Sequence, residues 1–135
     1  MKKERMIVSC TFIISLIPML LPQYGGCRGV QEISGIVNLL NPIGISAVIM
    51  FFVGVLFKKN IFGLIGCIGI VAAEIYKFLT WHIMTISGHF NIGMSFRFAY
   101  PEFYIGLLIS ILMTGLYIYM FFIKKMGDIE KKSVY

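Results

Sequence analysis

The chain has 135 residues, of which 59% are hydrophobic and only 13% are charged. Soluble domains average nearer half apolar residues and cannot cover so much apolar surface, so these figures favour a membrane protein. The formal net charge of +6 could indicate nucleic-acid binding, but nine of the twelve basic residues flank apolar stretches on one side. That placement is a topology signal, and no basic face with interleaved aromatic residues lies elsewhere, so nucleic acid is not an expected partner.

Four apolar stretches follow one another along the chain, at residues 6–22, 36–57, 61–84 and 103–123. A helix needs about 20 mostly apolar residues to cross about 30 Å of hydrocarbon, and the first stretch only just reaches that length. Residues 58–60 form so short a link that the second and third stretches must be antiparallel neighbours. The sequence therefore predicts an all-α fold, an antiparallel bundle of four transmembrane helices that forms a single domain over residues 1–135.

The basic residues predict the orientation of these helices. One side of the predicted bundle carries Lys2, Lys3, Arg5, Lys58, Lys59, Lys124, Lys125, Lys131 and Lys132. The connections on the other side, at residues 23–35 and 85–102, carry only Arg28 and Arg97. Positive charges in short loops mark the cytoplasmic side, so both termini are expected in the cytoplasm. Abundant isoleucine and scarce alanine indicate an AT-rich bacterial genome, which makes the bacterial cell membrane the expected location.

The start of the chain also resembles a bacterial lipoprotein signal, in which a basic segment and an apolar run precede small residues and a cysteine. Here Tyr24-Gly25-Gly26-Cys27 follows the first stretch, although Tyr24 stands where that signal has a leucine-like residue. A retained helix is expected because three more apolar stretches follow, and a cleaved signal is the alternative. The three cysteines form no C-x-x-C pair, which predicts free thiols.

Glu74 and Lys77 are the main candidates for function because both fall inside the third apolar stretch. An ionisable side chain within a bilayer costs several kcal/mol unless it is paired or hydrated. The two residues are about 60° apart around a helix, so their side chains can meet. Small residues mark close helix contacts in membranes and indicate that this face looks into the bundle. The residues on or near this face are Gly63, Gly66, Cys67, Ala73 and Trp81.

The other three stretches also place polar residues in the outer third of the membrane. Pro42 has no backbone N–H, so the second stretch should contain a freed carbonyl that needs a partner. We expect six residues to line a pocket that opens outward: Glu74, Lys77, Asn38, Asn41, Ser15 and Ser110. Its rim is expected to carry Arg28, Glu32, His82, His89, Arg97 and Glu102.

No metal, cofactor or catalytic set is expected in this chain. His82 and His89 are seven residues apart without a nearby acid, whereas a zinc site usually needs three or four ligands. No Ser/His/Asp or Cys/His triad can be assembled from the loop serines and the cysteines. The sequence does not predict an enzyme.

Two interpretations of the buried polar residues remain. They can form a structural hydrogen-bond network, or they can bind a ligand or an ion. The leading functional hypothesis is a non-enzymatic accessory, regulatory or immunity-type protein that binds another membrane protein or a peptide. The alternative is a homo-oligomeric transporter or channel that uses the pocket around Glu74 and Lys77. The lipid bilayer is an expected partner in either case.

Overall fold

The computed structural model describes residues 2–25, 31–83 and 88–134, so predictions about Arg28 and Cys27 lie outside the described residues. The described chain is all-α apart from two short antiparallel strands, β1 (Pro22–Tyr24) and β2 (Ile33–Ser34). Its helices are α1 (Lys2–Ser15), a 3-10 helix (Ile17–Leu20), α2 (Ile36–Leu40), α3 (Pro42–Leu56), α4 (Asn60–His82), α5 (Ile92–Arg97), α6 (Pro101–Ile118) and α7 (Lys124–Val134). A π-helical segment, Tyr119–Ile123, joins α6 to α7 without a break.

Two helices among the described residues are long and apolar enough to cross a membrane. They are α4 and the continuous 34-residue helix from Pro101 to Val134. Only 39% of the most apolar part of the first and 28% of that of the second is buried inside the protein. Most of this apolar surface therefore remains open on the outside of the bundle.

The four long helices α1, α3, α4 and α6 pack against one another, and contacts near their ends fix their directions. Lys124 Nζ lies 3.1 Å from Glu4 Oε1, and an Arg5 guanidinium nitrogen donates to Asn60 Oδ1 at 3.1 Å. The start of α1, the α3–α4 link and the end of α6 therefore meet at one end of the bundle. We call this the basic end, and the opposite end, which carries β1, β2 and α5, the strand end. Successive long helices run antiparallel.

Two of the four apolar stretches are not single helices, which corrects the sequence prediction. In residues 6–22, α1 ends at Ser15 and a 3-10 helix follows, because Pro18 cannot donate to the carbonyl four residues earlier. In residues 36–57, the chain is extended at Asn41 (φ −77°, ψ 160°) before Pro42 begins α3. Residues before a proline avoid the helical region, and proline suits the first turn of a new helix.

Glycines bring α3 and α4 into close contact, as the small residues predicted. A Cβ on Gly54 would strike the backbone of Gly63, and one on Gly66 would strike Phe51. Phe51 is fully buried and stacks on Phe12 of α1, with 3.7 Å between ring centroids. The apolar core therefore lies between α1, α3 and α4 in the basic half of the bundle, with Met113 and Tyr117 of α6 completing it.

The strand end is closed by backbone pairing that the sequence did not indicate. β1 pairs with β2 on one side and, through a bridge between Tyr24 and Ala99, with the segment before α6 on the other. The Tyr100 N–H donates to the Gln23 carbonyl at 2.8 Å. Chain segments more than 70 residues apart in sequence are thus joined above the helices.

Candidate functional site

Glu74 lies inside the bundle, as the sequence predicted. Its side chain is 0% exposed, and the small residues expected on the same face of α4 are buried with it. Within the described part of the chain, neither carboxylate oxygen has a hydrogen-bond partner. A buried polar group without a partner is rare and costly, which makes this carboxyl the centre of the candidate site.

Ser110 of α6 lies beside the Glu74 carboxyl. Its hydroxyl is buried and has no hydrogen-bond partner among the described residues, and Ser110 lies one helical turn after Gly106 on α6. Gly106 has no side chain, which lets α6 approach the Glu74 carboxyl and Gln23 closely. A Cβ there would lie 3.7 Å from Glu74 Oε1 and 3.3 Å from Gln23 Nε2.

A chain of hydrogen bonds runs from the strand end to the neighbourhood of the Glu74 carboxyl. The Tyr24 hydroxyl donates to Asn38 Oδ1 at 2.9 Å, and Asn38 Nδ2 donates to Gln23 Oε1 at 2.7 Å. Gln23 Nε2 in turn donates to the Pro18 carbonyl at 3.1 Å. Burial raises the pKa of the Tyr24 hydroxyl, which keeps it protonated as a donor. We call Gln23, Tyr24, Asn38, Glu74 and Ser110 the polar cluster.

Asn41, which lies at the break between α2 and α3, holds Asn38 in position. Asn41 caps α3, because its Oδ1 accepts from the Gly44 N–H at 2.9 Å. Its amide Nδ2 donates to the Asn38 carbonyl at 2.7 Å. That carbonyl lies four residues before Pro42, so it is the one that a missing N–H leaves without a partner. The prediction of a freed and re-paired carbonyl is confirmed.

Glu74 and Lys77 do not form the contact that their helical spacing allows. Lys77 is half-buried, and within the described ranges no ion pair of 4 Å or less joins it to Glu74. A separation of about 60° is enough to direct one side chain into the core and the other toward the edge of the helix. Ser15, another residue predicted for the pocket, forms a hydrogen bond within its own helix: its hydroxyl donates to the Phe12 carbonyl at 2.6 Å.

The described residues of the predicted pocket rim lie in different environments. His82 is fully buried, where its Nε2 accepts from the Asn91 N–H at 3.0 Å and its Nδ1 lies 3.2 Å from Ser95 Oγ. An accepting Nε2 places the ring proton of the neutral imidazole on Nδ1, facing Ser95. His82 therefore fastens α5 to the end of α4.

The remaining described rim residues lie at or near the surface of the strand end. Glu32, His89 and Arg97 are exposed, and Glu102 is half-buried. The Tyr100 hydroxyl donates to Glu32 at 3.2 Å, which links the two outer connections. Tyr24, Trp81 and Phe103 are also fully buried, so the described residues at this end give no support to the expected outward pocket.

Three buried residues were missed by sequence reasoning. Gln23 and Tyr24 follow the first apolar stretch and were assigned to an outer loop, but both are 0% exposed. Arg5 was read only as a topology signal, yet it is 8% exposed and donates to the carbonyls of Gly54 and Val55. The sequence alone does not distinguish a basic residue that only marks topology from one that is buried and donates to helix carbonyls.

Known proteins provide no guide to this arrangement. No protein-family model, no curated protein and no solved structure matches the chain. In the part of the chain that the structure describes, no group of three or more His, Cys, Asp or Glu side chains could hold a metal ion.

Proposed function

We propose that this chain is a multi-pass membrane protein that crosses the bilayer four times, with both termini in the cytoplasm. Support comes from the apolar outer surfaces of the bundle, since α4 and α6 would leave most of their apolar surface in water. In a bilayer the same apolar surface contacts lipid, so the free-energy cost of exposing it to water does not arise. The nine basic residues at one side favour the basic end as the cytoplasmic one.

Reporter fusions test this orientation. A fluorescent protein at the C-terminus should fluoresce, and alkaline phosphatase inserted after the exposed His89 should be active. Alkaline phosphatase inserted after Lys58, in the basic end, is the matched control and should be inactive. The reverse pattern, or recovery of the native chain in the soluble fraction, contradicts the proposal.

The biochemical role that we propose is non-enzymatic binding of another membrane protein, or of a membrane-bound peptide, at the strand end. The observation that carries this proposal is the set of large apolar side chains exposed on α5 and just before it. Phe90, Ile92 and Phe96 at or beside this helix are 57%, 52% and 59% exposed. The fully buried His82 accepts from the Asn91 N–H and contacts Ser95, which positions the start and middle of α5 beneath this exposed surface. Exposed aromatic side chains on a rigid support are typical binding anchors.

Co-purification in mild detergent tests this role. A partner should be retained by the native chain and lost when Phe90, Ile92 and Phe96 are replaced together by serine. Replacement of Leu56 and Phe57 by serine is a suitable control, because these residues are 75% and 70% exposed at the basic end. Equal retention by both variants, or a native chain that is always recovered alone, contradicts the proposed role.

A second candidate function, a homo-oligomeric transporter or channel, is favoured by the unpartnered carboxyl of Glu74. Ionisable groups inside the membrane commonly mark ion pathways. Four helices seldom enclose a path, so this function requires several copies of the chain. Ion flux into liposomes should then occur with the native chain and vanish with Glu74→Gln, whereas equal flux with both would exclude it.

A further inference from the structure

The polar cluster contains an ionisable carboxyl that no described cation pairs with. Glu74 is fully buried, and Lys77, the nearest cation along its helix, does not pair with it. An isolated carboxylate in such a place is strongly disfavoured unless it is neutralised. The chain must therefore take up a positive charge at this position or keep the carboxyl protonated.

The neighbouring donors are already used. From β1, the Tyr24 hydroxyl donates to Asn38, and from α2, the Asn38 amide donates to Gln23. From α6, the packed residues are Gly106 and Ser110, which carry no charge. On α4 itself, the ring of His82 is bound to Asn91 and Ser95. No described element supplies a cation to the carboxyl.

A second unpartnered group lies at the same position. The hydroxyl of Ser110 is buried and has no hydrogen-bond partner in the described chain. Ser110 lies one helical turn after Gly106, and a Cβ at Gly106 would be 3.7 Å from Glu74 Oε1. Two carboxylate oxygens and one hydroxyl oxygen are hard oxygen ligands. One carboxylate balances one positive charge, whereas divalent ions are generally held by more carboxylates or by several waters.

We propose that Glu74 and Ser110 form a buried binding site for one monovalent cation, either a proton or an alkali metal ion. The occupant neutralises the carboxylate and gives both side chains the partner that they lack within the protein. Occupancy is a property of the isolated chain. Its test therefore does not depend on whether the strand end binds a partner.

Thermal unfolding of the full chain in detergent tests the site. Melting is measured between about pH 5 and pH 9, with choline chloride as the only salt and then with sodium or potassium chloride at equal ionic strength. If the occupant is a proton, the melting temperature of the native chain falls by about 4 °C or more as the pH rises. If it is an alkali metal ion, sodium or potassium restores the melting temperature at high pH and choline does not.

Glu74→Gln should abolish both responses, because its neutral amide needs no cation. Glu130→Gln, which changes an exposed acid on α7, is the matched control and should respond like the native chain. Equal responses to pH and to alkali ions in the native chain and in Glu74→Gln would overturn the proposal.

Ser110→Ala provides the decisive measurement if Glu74→Gln does not fold. This variant keeps the carboxyl and removes the hydroxyl ligand. If the occupant is an alkali metal ion, its concentration at the midpoint of the response should then rise about tenfold, as expected for loss of an interaction with a charged group. If the occupant is a proton, the midpoint should move to higher pH, because the hydroxyl favours the charged form of the carboxyl. A midpoint equal to that of the native chain would overturn the assignment.

Discussion

Asn38 stabilises the polar cluster because one side chain serves two buried neighbours. Its Oδ1 accepts from Tyr24 and its Nδ2 donates to Gln23, and all three side chains are fully buried. Asn38→Leu should lower the free energy of unfolding by about 2 to 4 kcal/mol, since it leaves the Tyr24 hydroxyl and Gln23 Oε1 without partners. Urea unfolding in detergent measures this loss. Ser46→Ala, a polar-to-apolar change at an exposed position of α3, is the control and should be nearly neutral.

Lys77 provides a contrasting test, because the structure separates it from Glu74. Lys77→Leu should not lower the free energy of unfolding, because Lys77 is half-buried and forms no ion pair with Glu74. A double-mutant cycle with Glu74→Gln should give a coupling energy near zero. A coupling above about 1 kcal/mol would show that the two side chains interact after all.

The candidate site could be predicted only in part from individual residues. Asn38, Glu74 and Ser110 were found because a polar residue within an apolar stretch is easily recognised. Gln23 and Tyr24 were missed because their burial depends on pairing with residues 98–100, far along the chain. Helical spacing placed Glu74 and Lys77 close together but could not fix the directions in which their side chains point.

At the scale of elements, Arg5 stabilises the basic end by joining three helices. Its guanidinium donates to the carbonyls of Gly54 and Val55 at 3.4 and 3.3 Å and to Asn60 at 3.1 Å. A cation at a helix C-terminus is favourable because the last carbonyls there have no helical partner. Arg5→Ala should cost about 2 kcal/mol and speed hydrogen exchange in residues 54–60. Lys3→Ala, at an exposed position nearby, should affect neither measurement.

Close contact between α3 and α4 depends on glycine. Gly66→Ala should destabilise the protein by about 1 to 3 kcal/mol, because the new methyl group meets Phe51 in a packed core. The same change at Gly115 of α6 meets nothing within 4 Å. Alanine favours helix there, so Gly115→Ala should be neutral or slightly stabilising. Equal melting temperatures for the two variants would contradict the observed packing.

Hydropathy and charge predicted the number and order of the long helices but not their interruptions. The length of an apolar stretch is a sum over its apolar residues, and this sum ignores the positions at which proline lacks a backbone N–H. Pro18 and Pro42 therefore divide stretches that the sum treats as continuous. The sequence did show both prolines, and Pro42 was correctly linked to a freed carbonyl. The strand pairing was beyond reach, because its partners are separated by more than 70 residues.

At the scale of the whole molecule, an exposed ion pair joins the two ends of the chain. A hydrogen bond from Lys124 holds the pKa of Glu4 below its usual range. The stabilisation is therefore present above the ordinary carboxyl value of about 4.3 and is lost as the pH falls through the lower folded value. The protection factors of amides in the first turn of α1, corrected for the slower intrinsic exchange in acid, should fall as the pH drops. Glu4→Gln should remove this pH dependence and Glu130→Gln should keep it, whereas identical profiles for all three proteins would exclude the contact.

The continuous helix from Pro101 to Val134 has a consequence for anything attached to its end. Its 34 residues extend over about 51 Å, well beyond the thickness of the hydrocarbon layer. α7 contributes about 16 Å of that length and buries none of its side chains. Because α7 continues α6 as one helix, a change in the tilt of α6 would displace Val134 at the far end of α7.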